Sequence, residues 1–295
     1  MGSGHARKIL VTGGAGFIGS HLVTRLVSEE DVVCVLDNLS SGSVENIPVE
    51  KVEFVEGDVR DADLVGRLVG RSDIVFHLAE FIPETAKYEI GHVIRYSVDN
   101  PLLDFDVSCR GSLVLLEKCR QHDKRLIFAS TSAVYGPQNE VPIDEECRTL
   151  PISPYGASKL CAEQYVRLYS QLYGLPTNVL RLFNVFGPRQ RKYVLHDTLM
   201  KLHEHPQTLE VMGTGEETRD FIYVKDVVDA ILLVADSRVA LGGIFNVGTG
   251  KATQIKELIQ MITSILGICP EVRYSRRSWK GDIRTLVADT NRIRG

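Results

Sequence analysis

A chain of 295 residues, 44% hydrophobic and 24% charged, is long enough for one large or two modest domains around a substantial core. Its formal net charge of −4 gives no overall field to draw nucleic acid or an anionic membrane, and no apolar run approaches the ~20 residues of a membrane span. The six cysteines, at 34, 109, 119, 147, 161 and 269, include no C-x-x-C pair, which argues against a zinc site or a disulfide framework and fits reduced thiols in a cytoplasm. Met1-Gly-Ser-Gly-His-Ala6 has no apolar core and reads as an expression remnant, not a signal peptide.

The first ordered stretch, Lys8-Ile-Leu-Val-Thr12, is a short buried strand. It runs into Gly13-Gly-Ala-Gly16-Phe-Ile-Gly19 and then an apolar helix start. Glycines at this spacing permit a tight turn, a close backbone approach to a pyrophosphate, and close packing of helix on strand. The helix N-terminus then meets the phosphates with its positive dipole end. Val32-Val-Cys-Val-Leu36 is the next strand, and Asp37 closes it roughly 20 residues past the glycines, where a carboxylate holds an adenosine ribose 2′-OH. The loop Asn38-Leu-Ser-Ser41-Gly42 follows.

Val52-Glu-Phe-Val-Glu56 alternates as a strand and ends in Gly57-Asp58-Val59. Asp58 reads equally as an acceptor for an adenine amino group or as a helix cap. Asp73-Ile-Val-Phe-His-Leu-Ala79 and Arg125-Leu-Ile-Phe-Ala-Ser130 are further buried strands, and residues 101–121 form a helix with Leu113, Leu116 and Cys119 on its apolar stripe. Strands alternating with helices imply an α/β fold, with a parallel sheet, right-handed crossovers and ligands at the carboxyl ends of the strands.

Ser130, Thr131 and Ser132 stand at such an end. Pro151-Ile-Ser-Pro-Tyr155-Gly-Ala-Ser-Lys159 opens a helix that runs to about 173 and places Tyr155 and Lys159 at i and i+4, on one face. An ammonium beside a phenol stabilises the phenolate, so the pair suits Tyr155 as a general base near neutral pH.

Farther on, 195–205 is helical, and the close-spaced His203-Glu-His205 lacks the metalloprotease pattern, leaving no candidate metal site. Leu209-Glu-Val-Met-Gly213 and Gly243-Ile-Phe-Asn-Val-Gly248 read as strands, and 253–266 as an amphipathic helix capped by Thr253. The basic run Arg273, Arg276, Arg277, Lys280 and Arg284 lacks the interleaved aromatic platform of a nucleic-acid site.

These motifs, in this order, resemble the extended short-chain dehydrogenase/reductase family, nearest its NAD-dependent nucleotide-sugar epimerase branch. The resemblance rests on Thr12 to Gly19, Asp37-Asn38, Gly57-Asp58-Val59, His77-Leu-Ala79, Ser130-Thr-Ser-Ala-Val-Tyr-Gly136, Tyr155-Gly-Ala-Ser-Lys159, Arg181-Leu-Phe-Asn184-Val-Phe-Gly-Pro-Arg189 and Arg219-Asp-Phe-Ile-Tyr-Val224. It implies a Rossmann-type doubly wound sheet over 7–180, with 221–248 packing back on it. A smaller mixed α/β substrate lobe would be built from 181–220 and 249–295.

The resemblance implies NAD as cofactor, held by Gly13, Gly16, Phe17, Ile18 and Gly19 at the pyrophosphate, by Asp37, Asn38, Ser41 and Gly42 around the adenosine ribose, and by Asp58 and Val59 at adenine. Leu78, Ala79 and Ser130 line the middle of that site, and Phe183 touches the nicotinamide. Tyr155 and Lys159 bind the nicotinamide ribose and move the proton, with Ser132 preferred over Thr131 as the hydroxyl partner. Asn184, Arg219 and Asp282 contact the diphosphate of the substrate, with the 273–284 region closing over it.

The implied reaction is C4 epimerisation of a nucleotide sugar, foremost UDP-glucose/UDP-galactose, through a 4-keto intermediate. A UDP-uronate epimerase is the alternative suggested by Arg189, Arg191 and Lys192; a 4,6-dehydratase or decarboxylase, or an NAD-binding regulatory relative without activity, are others. Ser132-Ala133 supplies no carboxylate after Thr131 for an elimination. Two positions depart from the family pattern. Glu80 replaces a small residue and is expected near the phosphates, and Ser108 replaces an asparagine. The family also implies a cytoplasmic homodimer joined through the 101–121 and 155–173 helices, with Leu116, Leu168 and Leu172 as seam positions. Relatives continue past Ala288-Asp-Thr-Asn291 through further helices, so the last segment is expected to be missing or shortened.

Overall fold

The computed structural model describes residues 6–81, 93–277 and 281–295. Residues 1–5 and Lys280 of the basic run lie outside them. Among the described residues, seven strands form one parallel sheet in the order β11-β6-β5-β4-β1-β2-β3. They are β1 (Lys8–Thr12), β2 (Val32–Asp37), β3 (Glu53–Glu56), β4 (Ile74–His77), β5 (Arg125–Thr131), β6 (Thr177–Leu182) and β11 (Ile244–Val247). The order reverses between β1 and β4, and the crevice that binds ligand opens at that switch point.

Continuous apolar runs such as Ile9-Leu10-Val11 are buried on both sheet faces, as a doubly covered parallel sheet requires. One face packs α1 (Phe17–Ser28) and α8 (Val224–Asp236), through Leu22, Leu26, Val227 and Ile231. The other packs α2 (Ala62–Gly70), α5 (Gly111–His122) and α6 (Pro154–Tyr173), through Val65, Leu68, Leu115, Leu116 and Val166. Leu116 is fully buried here and belongs to the protein's own core, so it is not a seam residue. Burying a leucine of this kind contributes about 1.5–3 kcal/mol.

The helix expected over 101–121 is a composite. α4 (Pro101–Phe105) passes into a π-helical turn (Asp106–Arg110) and then α5. The preceding helix, α3 (Val93–Asp99), touches α6 through Ser97, whose Oγ accepts from Tyr155 N at 3.0 Å. Ser153 caps α6 by accepting from Gly156 N at 3.2 Å, and Gly174, left-handed at φ 66°, ends it.

The remaining elements gather beside the sheet edge. They are β7 (Asn184–Phe186), α7 (Tyr193–Glu204), β8 (Thr208–Val211), β9 (Thr218–Arg219), β10 (Phe221–Tyr223), β12 (Thr253–Gln254), α9 (Ile255–Leu266), β13 (Glu271–Tyr274), β14 (Thr285–Leu286) and α10 (Asn291–Arg294). Leu202, Leu209, Ile255, Leu258 and Ile262 form a separate small core there. Gln254, not Thr253, caps α9: it forms a reciprocal box with Glu257, whose Oε2 accepts from Gln254 N at 3.0 Å. Thr253 is instead drawn into β12 by pairing with Arg219. No helix among the described residues is long and apolar enough to cross a membrane.

Candidate active site

The carboxyl ends of the sheet open into a cavity of about 720 Å³. Of the site residues expected from sequence, all but Gly42 border it. Gly42 stands behind the wall, where an added Cβ would come within 2.9 Å of the Ala15 backbone.

The glycine turn forms one end. Gly13 is left-handed at φ 70°, and a Cβ there would lie 2.7 Å from Ala79 N. A Cβ at Gly19 would collide with the Gly13 carbonyl oxygen, so helix and turn close only on glycine. Gly16 caps α1 without a side-chain bond, and no acidic residue stands in the first turn, which leaves the free N–H groups for an anion. Asp37 braces the turn: its Oδ2 accepts from Ala15 N at 2.9 Å and its Oδ1 from Leu39 N at 2.8 Å. A second anion arriving at a 2′-position would face this buried carboxylate. NADP should accordingly bind at least tenfold more weakly than NAD in competition titrations; equal affinities would remove Asp37 from this role.

Asp58 borders the cavity, but it is not a helix cap. Asp61 caps α2, accepting from Asp63 N and Leu64 N. Asp58 takes Arg60 Nε at 2.8 Å, and Arg60 Nη1 reaches Asp106 Oδ2 at 2.8 Å, tying the end of β3 to the π turn. The Arg60 guanidinium holds the Asp58 carboxyl below its ordinary range.

A buried polar chain supports the middle of the site. His77 Nδ1 meets Thr12 Oγ1 at 2.7 Å, and Nε2 meets Ser112 Oγ at 2.9 Å. Ser112 Oγ donates to Ser108 O at 2.6 Å, so it accepts from Nε2–H and the Thr12 hydroxyl donates to Nδ1. Burial, aided by Lys159, pushes the imidazole down to about 3, so His77 stays neutral. Spacing gave no signal of this chain, because its members lie 35 to 65 residues apart.

The reactive group sits beyond it. Tyr155 and Thr131 border the same part of the cavity, and Thr131 Oγ1 accepts from Ala133 N at 3.2 Å. Ser132 borders the same space, so both hydroxyls stand beside the phenol. Thr131 is the last residue of β5 and Ser132 the first of the 3-10 turn that follows.

Lys159 Nζ donates to Ala129 O at 3.1 Å and pairs with Glu80 Oε2 at 2.6 Å. Glu80 therefore lies against Lys159. The expected lowering of the Tyr155 pKa is absent: burial and then the Glu80 charge push the phenol well above its ordinary value. Lys159 is partly neutralised and cannot offset them.

At the far end, Arg219 Nη2 donates to Asp282 Oδ1 at 2.7 Å and Nη1 to Arg284 O at 3.1 Å. Of the basic run, Arg277 borders the cavity, while Arg273 pairs with Glu271 and Arg284 with Glu216. Ser130 Oγ, Asn184 Nδ2 and Lys192 Nζ, all expected from sequence, border the cavity without a hydrogen-bond partner, as do Gln190 Oε1 and Asp197 Oδ1, which sequence reasoning missed. Lys192 lies 5.1 Å over the Tyr96 ring, and burial pushes its amine down to about 8. Such buried orphans, with the uncapped helix and the glycine cradle, fit a polar ligand running from the glycine turn past Tyr155.

The sequence pattern of the NAD-dependent epimerase/dehydratase family matches residues 9–248. The chain belongs to that family. It is 38% identical over 288 residues to a putative UDP-glucose 4-epimerase of Methanocaldococcus jannaschii, covering 95% of this chain and 89% of that protein. Its fold matches UDP-glucose 4-epimerase of Thermotoga maritima, solved with UDP-glucose, at TM-score 0.88 and 36% identity, covering 97% and 91% of the two chains. It also matches dTDP-glucose 4,6-dehydratase of Streptomyces venezuelae, solved with NAD, at TM-score 0.87 and 30% identity, covering 97% and 89%. The protein is thus an NAD-dependent enzyme of the epimerase/dehydratase type with a Rossmann-type fold.

Proposed function

We propose that this enzyme interconverts UDP-glucose and UDP-galactose by inverting C4 through a 4-keto sugar. The observation that carries the reading is the Thr131–Tyr155–Lys159 group facing the cavity, with Ser132-Ala133 after Thr131 where an elimination would call for a carboxylate. Bound NAD supplies the acceptor, and later the donor, of the C4 hydride. Asp37, Gly13 and the N-terminus of α1 hold its adenosine and pyrophosphate end, and Lys159 and Tyr155 hold the nicotinamide ribose. Tyr155 Oη takes the proton from the C4 hydroxyl and returns it to the keto oxygen, while Thr131 Oγ1 orients that oxygen by hydrogen bonding. Asn184 Nδ2 and Arg219 anchor the diphosphate, the guanidinium fork matching phosphate oxygens. With the nucleotide anchored, the keto-sugar turns its other face to the cofactor.

A second reading has its own observation. Lys192 is a half-buried cation without a hydrogen-bond partner, and the carboxylate of a UDP-uronate would satisfy it. Arg189 does not share that role, since its Nη1 bonds Ser20 Oγ at 3.1 Å. Turnover of UDP-galactose and UDP-galacturonate at equal concentration separates the two. A tenfold preference for the uronate, about 1.4 kcal/mol of discrimination, would replace the first reading.

The proposal includes a homodimer, consistent with the exposed apolar surface of α4 and α6. Leu102, Phe105, Leu168 and Leu172 are 85%, 49%, 43% and 68% exposed. Light scattering at micromolar concentration should give twice the chain mass, and Leu172→Glu with Leu168→Glu should halve it. A monomeric parent protein refutes the pairing.

A further inference from the structure

Glu80 and Ser108, the two departures from the family pattern, lie 28 residues apart and meet in the structure: the Ser108 hydroxyl donates to Glu80 Oε1. The same oxygen accepts from Phe81 N at 2.9 Å. Oε2 faces Lys159 Nζ at 2.6 Å, with the two side chains only 15% and 4% exposed. Ser108 is itself fixed, because it sits in the π turn and its carbonyl accepts from Ser112 Oγ. A π turn inside a helix is a common mark of a functional position. The carboxylate is therefore braced on one side and aimed at the ammonium on the other.

This geometry changes what Lys159 does to Tyr155. An isolated ammonium one helical turn away would favour the phenolate. Here a carboxylate at ion-pair distance cancels much of that charge and adds its own repulsion. The other titratable groups facing Tyr155 do not supply a replacement cation. Asp104 on α4 is an acid, pushed up to about 6 chiefly by burial, and its Oδ2 accepts from Ser158 Oγ at 2.6 Å. Tyr193 on α7 is a buried phenol, held above its ordinary value by burial and then by Glu80. His77 at the end of β4 is neutral. Lys192 stands over Tyr96, not over Tyr155.

We propose that Glu80 is a positioning residue, braced by Ser108, that holds and partly neutralises Lys159 and thereby sets the pH range in which Tyr155 accepts a proton. The proposal rests on the assignment of Tyr155 as the proton acceptor. The sign follows from charge. Removing the negative charge at 80 leaves Lys159 uncompensated, the phenolate is stabilised, and the active form persists to lower pH. Asp104 ionises more readily once Glu80 is neutral, which damps the shift without reversing it.

The test uses the NAD-loaded enzyme and Glu80→Gln, which keeps the side-chain shape. The acidic limb of kcat/KM against pH should move down by about one unit, the low end of what one charge at this distance produces. A second readout needs no substrate: phenolate absorbance is titrated as the difference between each protein and its Tyr155→Phe counterpart. That Tyr155-specific step should move down with the limb. If Glu80→Gln does not fold, Glu80→Ala removes the same charge and predicts the same direction. A limb and a phenolate step that stay in place, or move up, overturn the proposal. If no nucleotide sugar turns over, the proposed activity falls, yet the absorbance titration still decides the role of Glu80.

Discussion

Tyr155→Phe should lower turnover by roughly 10²–10⁴-fold, the usual contribution of a positioned general base, with NAD binding and thermal stability largely kept. The expectation follows from the placement of the phenol. Tyr155 borders the cavity beside Thr131 at the end of β5, and its backbone is fixed by Ser97 and by the Ser153 cap. Phenylalanine preserves the ring and its packing and removes the proton carrier alone. Lys159→Ala should differ in kind. It removes the partner of Glu80 and the donor to Ala129, so both NAD affinity and rate should fall. Near-parental turnover of Tyr155→Phe would move the proton transfer to another group.

The second large effect concerns stability. Glu163 and Arg181 are 0% and 3% exposed and form a bidentate pair, Nε and Nη2 at 2.8 and 2.9 Å from the carboxylate. Burial works against the Arg181 charge, and the Glu163 carboxylate more than offsets it, holding the guanidinium fully ionised. Arg181 Nη1 also donates to Tyr135 Oη at 2.9 Å, and Tyr135 donates to Asn246 Oδ1 at 2.7 Å. The network binds α6 to β6, to the segment after β5 and to β11. Glu163→Ala would strand a charge in the core at a cost of about 3–5 kcal/mol. In a chain of this size that is a drop of about 5–8 °C in Tm. Glu163→Gln, which keeps an acceptor, should lose less. A Tm change of only a degree or two for Glu163→Ala would show that the pair is not stabilising.

What the sequence revealed and what it hid divide along sequence distance. The glycine turn, Asp37, and the Tyr155–Lys159 spacing were legible because each is local: a turn, a strand end, a helix face. The buried strands were legible from their apolar runs. The boundary between β5 and the 3-10 turn, which falls between Thr131 and Ser132, was not, because nothing in the run Ser130-Thr131-Ser132 marks where the strand ends. The assignment of Leu116 to a seam failed for a related reason. An apolar stripe shows that a face is covered but not what covers it, and here the cover is the protein's own sheet and α2.

Pairings across the chain were invisible for a plainer reason. Glu80 with Lys159, His77 with Ser112, and Cys109 with Cys161, whose sulfurs lie 3.0 Å apart, are made by tertiary packing between separate elements. The departures at Glu80 and Ser108 were visible one by one. Their contact, which gives both a physical sense, needed the fold.

The most direct test of the account is the fate of UDP-galactose on the NAD-loaded enzyme. The products are separated by chromatography and nicotinamide absorbance is followed in the same sample. The account predicts UDP-glucose at the same mass, approached from either sugar, with no net accumulation of NADH. A product lighter by one water would place the protein among the dehydratases, and exchange confined to dTDP- or GDP-sugars would contradict the nucleotide assignment.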